Sequence, residues 1–400
     1  MAGWSSLPGD LVNLVADRLL TTSDLDSYMD LRAVCHGWRS ATADPRKSPR
    51  EPRFRPRDWV TLGEAHQSDG ARLFVNAATG RFVRKDLRPV FQSYFLLVAG
   101  AGGGSLVLAG GSSPHAACLL NPFTGSFVQF AAPVPPELEL ELKVAAHVIG
   151  GSSPKLILLR VGADNTTIYW ADPNSGSFNV FKQNHCDSRL AGQALVGGIY
   201  AAGLELEQHG SPPSTLLHPT VSKIMGLVKT RPPLTNDYFS SNATLAWRNC
   251  FLVESAGEIL ICFVLRRWPK VYMEVFKMAT GSNALEQVKS IGNRAIFVGA
   301  RRSLSVDADK FASVEANCIY YVHGSSSSYH VYNLEDEEEV RGGGAFVELH
   351  HRTFSMKACP SVVQLLCRYT SNVEHSQLGL ELLRQRLREW DISMQDCAYH

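Results

Sequence analysis

The sequence predicts a multidomain protein of α plus all-β class: three short N-terminal helices, a long β domain, and an amphipathic helix near the C-terminus. Three observations predict it. Apolar residues recur at helical spacing over residues 10–44 and again around residues 374–390. Between Trp59 and Leu349 they fall instead into short Val-, Ile-, Leu-, Phe- and Tyr-rich runs separated by Gly, Pro, Asn and Ser clusters, the pattern of strands and tight turns. Within that stretch a strand–turn–strand unit repeats. The 400 residues leave room for about two to four domains, and 45% hydrophobic with 19% charged residues is a globular balance.

At the N-terminus, Pro8-Gly9-Asp10 supplies a breaker and a cap. Leu11, Leu14, Val15 and Leu19 then follow at i, i+3, i+4 and i+8, which places them on one helix face. Ser23-x-x-Asp26 resembles a capping box and opens a second helix through Leu25, Tyr28, Met29, Leu31 and Val34. A third runs from about Gly37 to Ala43 and stops at Pro45. The apolar load is large for a unit near the size below which a lone core rarely suffices. Some of that surface must meet either the rest of this chain or a partner that receives a helix in a groove.

The run Leu7-Pro8-x-Asp10-Leu11-x-x-Leu14-Val15-x-x-Arg18-Leu19, then Asp24-Leu25, then Leu31-Arg32-Ala33-Val34-Cys35-His36-Gly37-Trp38-Arg39 resembles an F-box across its full length. The resemblance implies docking to a Skp-type adaptor, and through it to a cullin, in a ubiquitin ligase. It implies Leu7, Pro8, Leu11, Leu14, Val15, Leu19, Leu31, Val34, Cys35 and Trp38 as adaptor-binding residues, whose burial against the adaptor's helices would satisfy the apolar excess. Arg39 is read as solvated or locally paired.

Residues 45–57 hold four prolines and Arg46, Lys47, Arg50, Arg53, Arg55 and Arg57 against the single acid Glu51. Proline at this density favours an extended, semi-rigid spacer, here a solvated one that sets the distance between adaptor and captured target. The same run also reads as a nuclear import signal or a phosphate-binding strip, although beyond Phe54 and Trp59 it lacks aromatics for base stacking.

Three segments of the middle are alike: Leu73 to Val83, Leu119 to Val128 and Tyr169 to Phe178. Each is a strand, a turn ending in Gly80, Gly125 or Gly176, and a second strand opening at Phe82, Phe127 or Phe178. The glycines are 45 and 51 positions apart, within the range of four-stranded propeller blades. Weaker copies stand at Val275 to Gly281 and Tyr332 to Asp336. Dividing residues 59–349 by about 48 predicts a β-propeller of about six blades, with Trp59-Val-Thr-Leu62 as the strand that closes it. Gly110-Gly111, Gly150-Gly151 and Gly197-Gly198 resemble the glycine pair of kelch repeats, but the Tyr and Trp of each kelch blade do not follow consistently.

Leu120-Asn-Pro-Phe-Thr-Gly125, Val271 to Phe276 leading to Lys289 to Gly299, and Asn317-Cys-Ile-Tyr-Tyr321 resemble the KIB-type β-propeller of plant F-box proteins. With the F-box, that resemblance covers about residues 4–340. It implies a substrate-receptor role and transfers no catalytic or binding residue. The organisation expected is therefore an F-box over 1–44, a Pro/Arg-rich linker over 45–58, a propeller over 59–349 and a C-terminal extension over 350–400. In the last of these Leu378, Leu382, Leu383, Leu387 and Trp390 mark a helix around Glu374 to Trp390, which either packs on the propeller or forms a partner site.

No phosphate-binding glycine loop, H-E-x-x-H, G-x-S-x-G or EF-hand loop occurs, so no cofactor, metal or catalytic set is expected. Gly100 to Ser105 reads as a turn, His350-His351 as residues facing opposite ways on a strand, Glu335 to Glu339 as a solvated acidic loop, and Asp172 and Asp187 as unpaired acids. A net charge of +1 provides no global field for DNA, RNA or an anionic membrane, and nucleic acid is not an expected partner. The uncharged stretch from Pro89 to Pro136 is interrupted by glycines before it is long enough to span a bilayer. Nine scattered cysteines without a C-x-x-C pair suit a reducing compartment, and the N-terminus has no export pattern, so cytoplasm or nucleus is expected and the sequons at Asn165 and Asn242 carry no meaning. The function expected is a non-catalytic receptor that captures an unidentified target protein. The alternative is a propeller enzyme or small-ligand protein with a helical dimerisation unit.

Overall fold

The structure, a computed structural model, describes residues 4–397 apart from 63–69, 101–102, 140–143, 150–153, 162–164, 185–190, 196–197, 210–213, 224–227, 231–248, 268–269, 279–284, 300–301, 323–328, 341–360 and 372–375. Two compact units comprise residues 1–183 with 373–400, and residues 184–372.

The first unit opens with α1 (Gly9–Thr21), α2 (Leu25–Ala33) and α3 (His36–Ala41). Asp24 caps α2 by accepting a hydrogen bond from the Ser27 amide, so the cap sits one residue after the expected Ser23, which lies at φ +56° in the turn between helices. Three sheets follow. β1 (Trp59–Leu62), β2 (Ala71–Asn76) and β3 (Phe82–Asp86) form a three-stranded sheet in chain order. After a short turn α4 (Arg88–Phe91), β4 (Tyr94–Ala99), β5 (Leu106–Gly110), β6 (Ala116–Asn121) and β7 (Ser126–Pro133) form an antiparallel meander. After α5 (Pro136–Glu139), β8 (Ala145–Ile149), β9 (Lys155–Val161), β10 (Asn165–Ala171) and β11 (Asn179–Asn184) form another. One core joins Ala16, Leu20, Leu25 and Tyr28 of the helices to Phe54, Trp59, Phe74, Leu106 and Phe123, so the helical unit shares its interior with the first strands. A second lies between the two meanders.

The repeated hairpin is the last pair of strands in its sheet: β2–β3, β6–β7 and β10–β11. Its turn chemistry is local. Asn76 Oδ1 accepts from the amides of Ala78 and Thr79, and Asn121 Oδ1 from those of Phe123 and Thr124. Gly80 and Gly125 then take φ +72° and +68°, where a side chain would be strained, and each amide donates back to the same asparagine's carbonyl. In the third copy Gly176 does not adopt positive φ.

The second unit contains β12 (Ala191–Leu195), β13 (Gly198–His209), β14 (Ser214–Lys223) and β15 (Val228–Thr230) as one meander, and β16 (Asn249–Ser255), β17 (Glu258–Arg267), β18 (Lys270–Met278) and β19 (Leu285–Val288) as the next. A five-stranded sheet ends it, with β20 (Arg294–Val298), β21 (Ser303–Asp307), β22 (Cys318–Val322), β23 (Tyr329–Asn333) and β24 (Glu338–Val340) in the order β21-β20-β22-β23-β24 and β20 parallel to β22. The weaker repeats fall on β18–β19 and β23–β24, and Asn333 Oδ1 again accepts two turn amides. The helix α6 (Val362–Ser371) buries Val363, Leu366 and Cys367 on the side of β20 and β22. Back in the first unit, α7 (Gln377–Cys397) buries Leu378 and packs Leu382 on the core between the meanders, while Gln377 Oε1 accepts from the Leu96 amide at 3.0 Å.

Among the described residues five sheets have four or five strands, which corrects the expected count of about six blades to five: even division by length treated the three-stranded β1–β3 sheet as a full blade. Trp59–Leu62, expected to close the domain, pairs with β2 as the first strand of that sheet. The segment 45–58, expected to be a solvated spacer, is packed. Pro45, Phe54 and Pro56 are buried, Asn121 Nδ2 donates to the Phe54 carbonyl at 2.7 Å, and Arg46 Nε donates to the Thr124 carbonyl at 3.0 Å. Gly104 is required here because its amide donates to the Pro56 carbonyl at 2.8 Å and an added Cβ would lie 2.6 Å from Trp59 Cβ. Asp187, His350, His351, the Asn242 sequon, Gly281 and the expected boundary at residue 349 lie outside the described residues.

Candidate docking face

The amphipathicity of α1 has two apolar sides. Val12, Ala16 and Leu20, spaced i, i+4, i+8, face the core and are buried. Leu11, Leu14 and Val15 lie on the other side and are exposed, Leu14 at 67%. A helix needs only one apolar stripe to fold onto its neighbours, so the second one is unexplained by folding. Val34 at the end of α2 is 56% exposed, and Trp4, in a helical turn before α1 that lies against α3, is 81% exposed. Exposed large apolar side chains in this number on a unit of this size mark an interaction surface.

The structure thus places Pro8, Leu11, Leu14, Val15 and Val34 on the exterior and leaves Leu7, Cys35 and Trp38 half-buried. Leu19 and Leu31 are also half-buried and pack on the core shared with Phe54 and Trp59. The indole N–H of Trp38 meets no acceptor among the described residues. Trp4 was missed by the sequence reading, although a tryptophan one turn before the Leu-Pro start was visible.

Two polar networks hold this face in shape. Arg32 is buried, and its Nη1 donates to the carbonyls of Thr42 at 2.5 Å and Ala43 at 2.7 Å, while its Nη2 lies 3.3 Å from Asp44 Oδ2. Tyr28 Oη donates to the same Ala43 carbonyl, and burial pushes its pKa up. Together they tie off the open carbonyls after α3. The second network fastens the helices to the first sheet. Arg81 at the start of the β3 hairpin pairs with Asp24 and Asp26 at 2.8 Å each, Lys85 also pairs with Asp26, and Trp59 Nε1 donates to the Ser23 carbonyl at 2.6 Å.

Arg32→Met, which keeps length and removes the donors, is expected to cost about 2–4 kcal/mol because it strands the buried Thr42 carbonyl and a partly buried carboxylate, while the Ala43 carbonyl keeps its bond from Tyr28. Urea unfolding should show a lower midpoint at unchanged slope, and hydrogen exchange should accelerate in α3. An unchanged midpoint would remove Arg32 from this role.

Burial pushes the thiols of Cys118 and Cys262 up to about 12, which keeps them protonated and unreactive. Among the described residues no three His, Cys, Asp or Glu side chains converge as metal ligands. A cavity of about 120 Å³ in the second unit is lined by Tyr272, Glu274, Gln287, Tyr332, Lys289 and Glu337, and the last two form an ion pair at 3.1 Å. Burial raises the Glu274 pKa, yet the cavity sets no nucleophile beside a base.

Meander sheets of four strands, repeated along the chain with Asx-closed outer hairpins, define a β-propeller protein. A family model described as the KIB1-4 beta-propeller matches residues 84–333, more than half of the chain. The chain belongs to the KIB1-4 beta-propeller family. A curated F-box protein of Arabidopsis thaliana is 49% identical to it over 43 residues, 11% of this chain and 12% of that protein, so the chain matches about an eighth of that relative's length. Among solved structures, the β-propeller domain of the Trilobed protease from Pyrococcus furiosus is similar at 10% identity and TM-score 0.27, covering 74% of this chain and 94% of that one. The major allergen of Malassezia sympodialis is similar at 12% identity and TM-score 0.22, covering 72% and 93%. Superpositions this loose carry no argument about function.

Proposed function

We propose that this protein is the substrate-receptor subunit of a Skp–cullin–F-box ubiquitin ligase. Its N-terminal face docks a Skp-type adaptor and through it a cullin, and loops of the propeller capture a target protein. The observation that carries the reading is the second apolar stripe of α1, Leu11, Leu14 and Val15, which the fold leaves in solvent while Val12, Ala16 and Leu20 do the packing. The F-box resemblance of residues 7–39 and the match to an F-box protein support the same partner. An adaptor carbonyl opposite Trp38 would satisfy its indole N–H. Catalysis then belongs to other ligase subunits, and the site of action is the cytoplasm, the nucleus or both. The ion pairs of Arg81 and the packed 45–58 segment hold the docking face directly to the first sheet rather than by a tether.

The test is binding of a purified Skp-type adaptor to the full-length protein, read by size-exclusion chromatography with light scattering. A one-to-one complex is expected. A folded protein that ignores the adaptor overturns the proposal, and concentration-dependent dimers in its place would assign the helices to dimerisation.

A further inference from the structure

In the second unit β19 is much shorter than its neighbour β18. It pairs only with residues 275–278, so residues 270–274 of β18 have no strand beside them on that side among the described residues, and a cavity of about 120 Å³ opens there. Its other walls are the end of β19 and the turn between β23 and β24. Asn317 fixes these two walls to each other: its Oδ1 accepts from the Ile291 amide at 2.9 Å and its carbonyl from the Leu334 amide at 3.1 Å, while Asn333 Oδ1 closes the turn that carries Glu337. The cavity is thus a space held between fixed segments. Its lining is polar and acidic. Tyr332 is 1% exposed; burial pushes its pKa up, the Met273 amide bonded to it pulls the other way, and Glu337, Tyr272 and Glu274 add to the rise, so two phenols and two carboxylates stand close together. Burial also holds Glu274 above the usual carboxylate range, opposed by Lys289 and reinforced by Glu337. Lys289 meets Glu337 at 3.1 Å, but the two side chains are 70% and 60% exposed, and a surface pair of that kind is easily exchanged. Two carboxylates against one ammonium leave the lining one positive charge short.

We propose that this cavity binds a guanidinium group. Size fits it: a cavity of about 150 Å³ holds a benzene ring, so this one admits roughly five or six heavy atoms, a guanidinium with its nearest methylenes. The placement of acceptors fits it too. Tyr272 and Glu274 stand on β18, Gln287 on β19, Tyr332 on β23 and Glu337 on the following turn, and a planar fork of five donors reaches several of them at once where the point charge of an ammonium does not. An anion would meet two carboxylates. A metal ion needs oxygens about 2.0–2.6 Å away on several sides, and among the described residues no such set converges. The guanidinium comes either from an arginine side chain of a captured protein or from a small guanidine in solution. The site belongs to the second unit, and its test stands whether or not the N-terminal face binds an adaptor.

The experiment titrates full-length protein with a Gly/Ser peptide carrying one central arginine, with the same peptide carrying citrulline or lysine, and with free agmatine, read by ligand-observed NMR. The better of the arginine peptide and agmatine should bind at least about tenfold tighter than the citrulline peptide, and tighter than the lysine peptide. Preference for the peptide over agmatine assigns the group to a captured protein, and the reverse assigns it to a small molecule. Glu274→Gln/Glu337→Gln should abolish binding, and Lys289→Met, which removes the competing cation, should tighten it. Glu335→Gln/Glu338→Gln changes exposed acids that do not line the cavity and should leave the affinity as it is. Circular dichroism checks that each variant remains folded. Equal affinity for the citrulline or lysine peptide, no binding of any probe by the folded protein, or the same loss in both double variants would each overturn the proposal. So would displacement of agmatine by calcium at a lower concentration, which would reassign the cavity to a metal ion.

Discussion

Leu11→Asp/Val15→Asp should abolish binding to a Skp-type adaptor while leaving the circular dichroism spectrum and the urea midpoint of the protein unchanged. Both side chains are on the outward stripe of α1, at 47% and 45% exposure, and neither belongs to the cores that hold the first unit. Charging them places two carboxylates where a docked adaptor would exclude water. Burying an unpaired charge costs several kcal/mol, and truncating one central apolar contact of an interface commonly costs about 2 kcal/mol or more. Together these predict at least a hundredfold loss, on the order of 3 kcal/mol. Val12→Asp on the opposite stripe is the informative control. Val12 is buried, so that variant should lose stability as well as binding. Retained binding by the outward double variant would mean that the adaptor, if it binds, uses another surface.

Trp59→Ala should produce the largest loss of stability. The ring is fully buried, lies 4.2 Å from the Phe123 ring at a 34° tilt, and donates through Nε1 to the Ser23 carbonyl in the turn between α1 and α2. Truncating a buried aromatic to alanine costs about 3–5 kcal/mol, and the stranded carbonyl adds to it. Trp59→Phe separates the two contributions. It keeps most of the apolar volume but not the donor, and should cost about 1–3 kcal/mol. Because the lost bond reaches from the first strand to the helical turn, the tryptophan variant should also weaken adaptor docking indirectly. Equal midpoints for wild type and Trp59→Ala in urea would contradict this account.

Much of this architecture was legible before any coordinates. Helical spacing in residues 10–44 identified three helices, because a helix repeats its face every 3.6 residues and apolar side chains must share one. The hairpin repeat was legible for an equally local reason. Asn76, Asn121 and Asn333 each close the turn that follows by bonding backbone amides two and three residues on, so the signature lies within a few adjacent positions. The family membership rests on such runs. Blade number was not legible, since dividing the whole stretch by one repeat length counts the shorter three-stranded sheet of residues 59–86 in with the four-stranded ones. Nor was α6, which the pattern around Val362 to Ser371 did not disclose among strands and loops.

The local contents of the helices, strands and turns were thus determined by the sequence itself, through periodicities set by bond geometry. Which stripe of α1 faces inward was decided only by tertiary structure. Leu11, Leu14 and Val15 and the trio Val12, Ala16 and Leu20 are both apolar at helical spacing, and only the burial of the second trio, with Ala16 and Leu20 packed in the core of Phe54, Trp59 and Phe74, tells them apart. The same holds for residues 45–58. Proline and arginine make them look like a solvated spacer, but Gly104, Asn121 and Thr124, far along the chain, supply the donors and acceptors that pack them down. Contacts between distant residues have no local spacing to betray them, and in this protein they settle which apolar surface is buried on folding and which stays exposed.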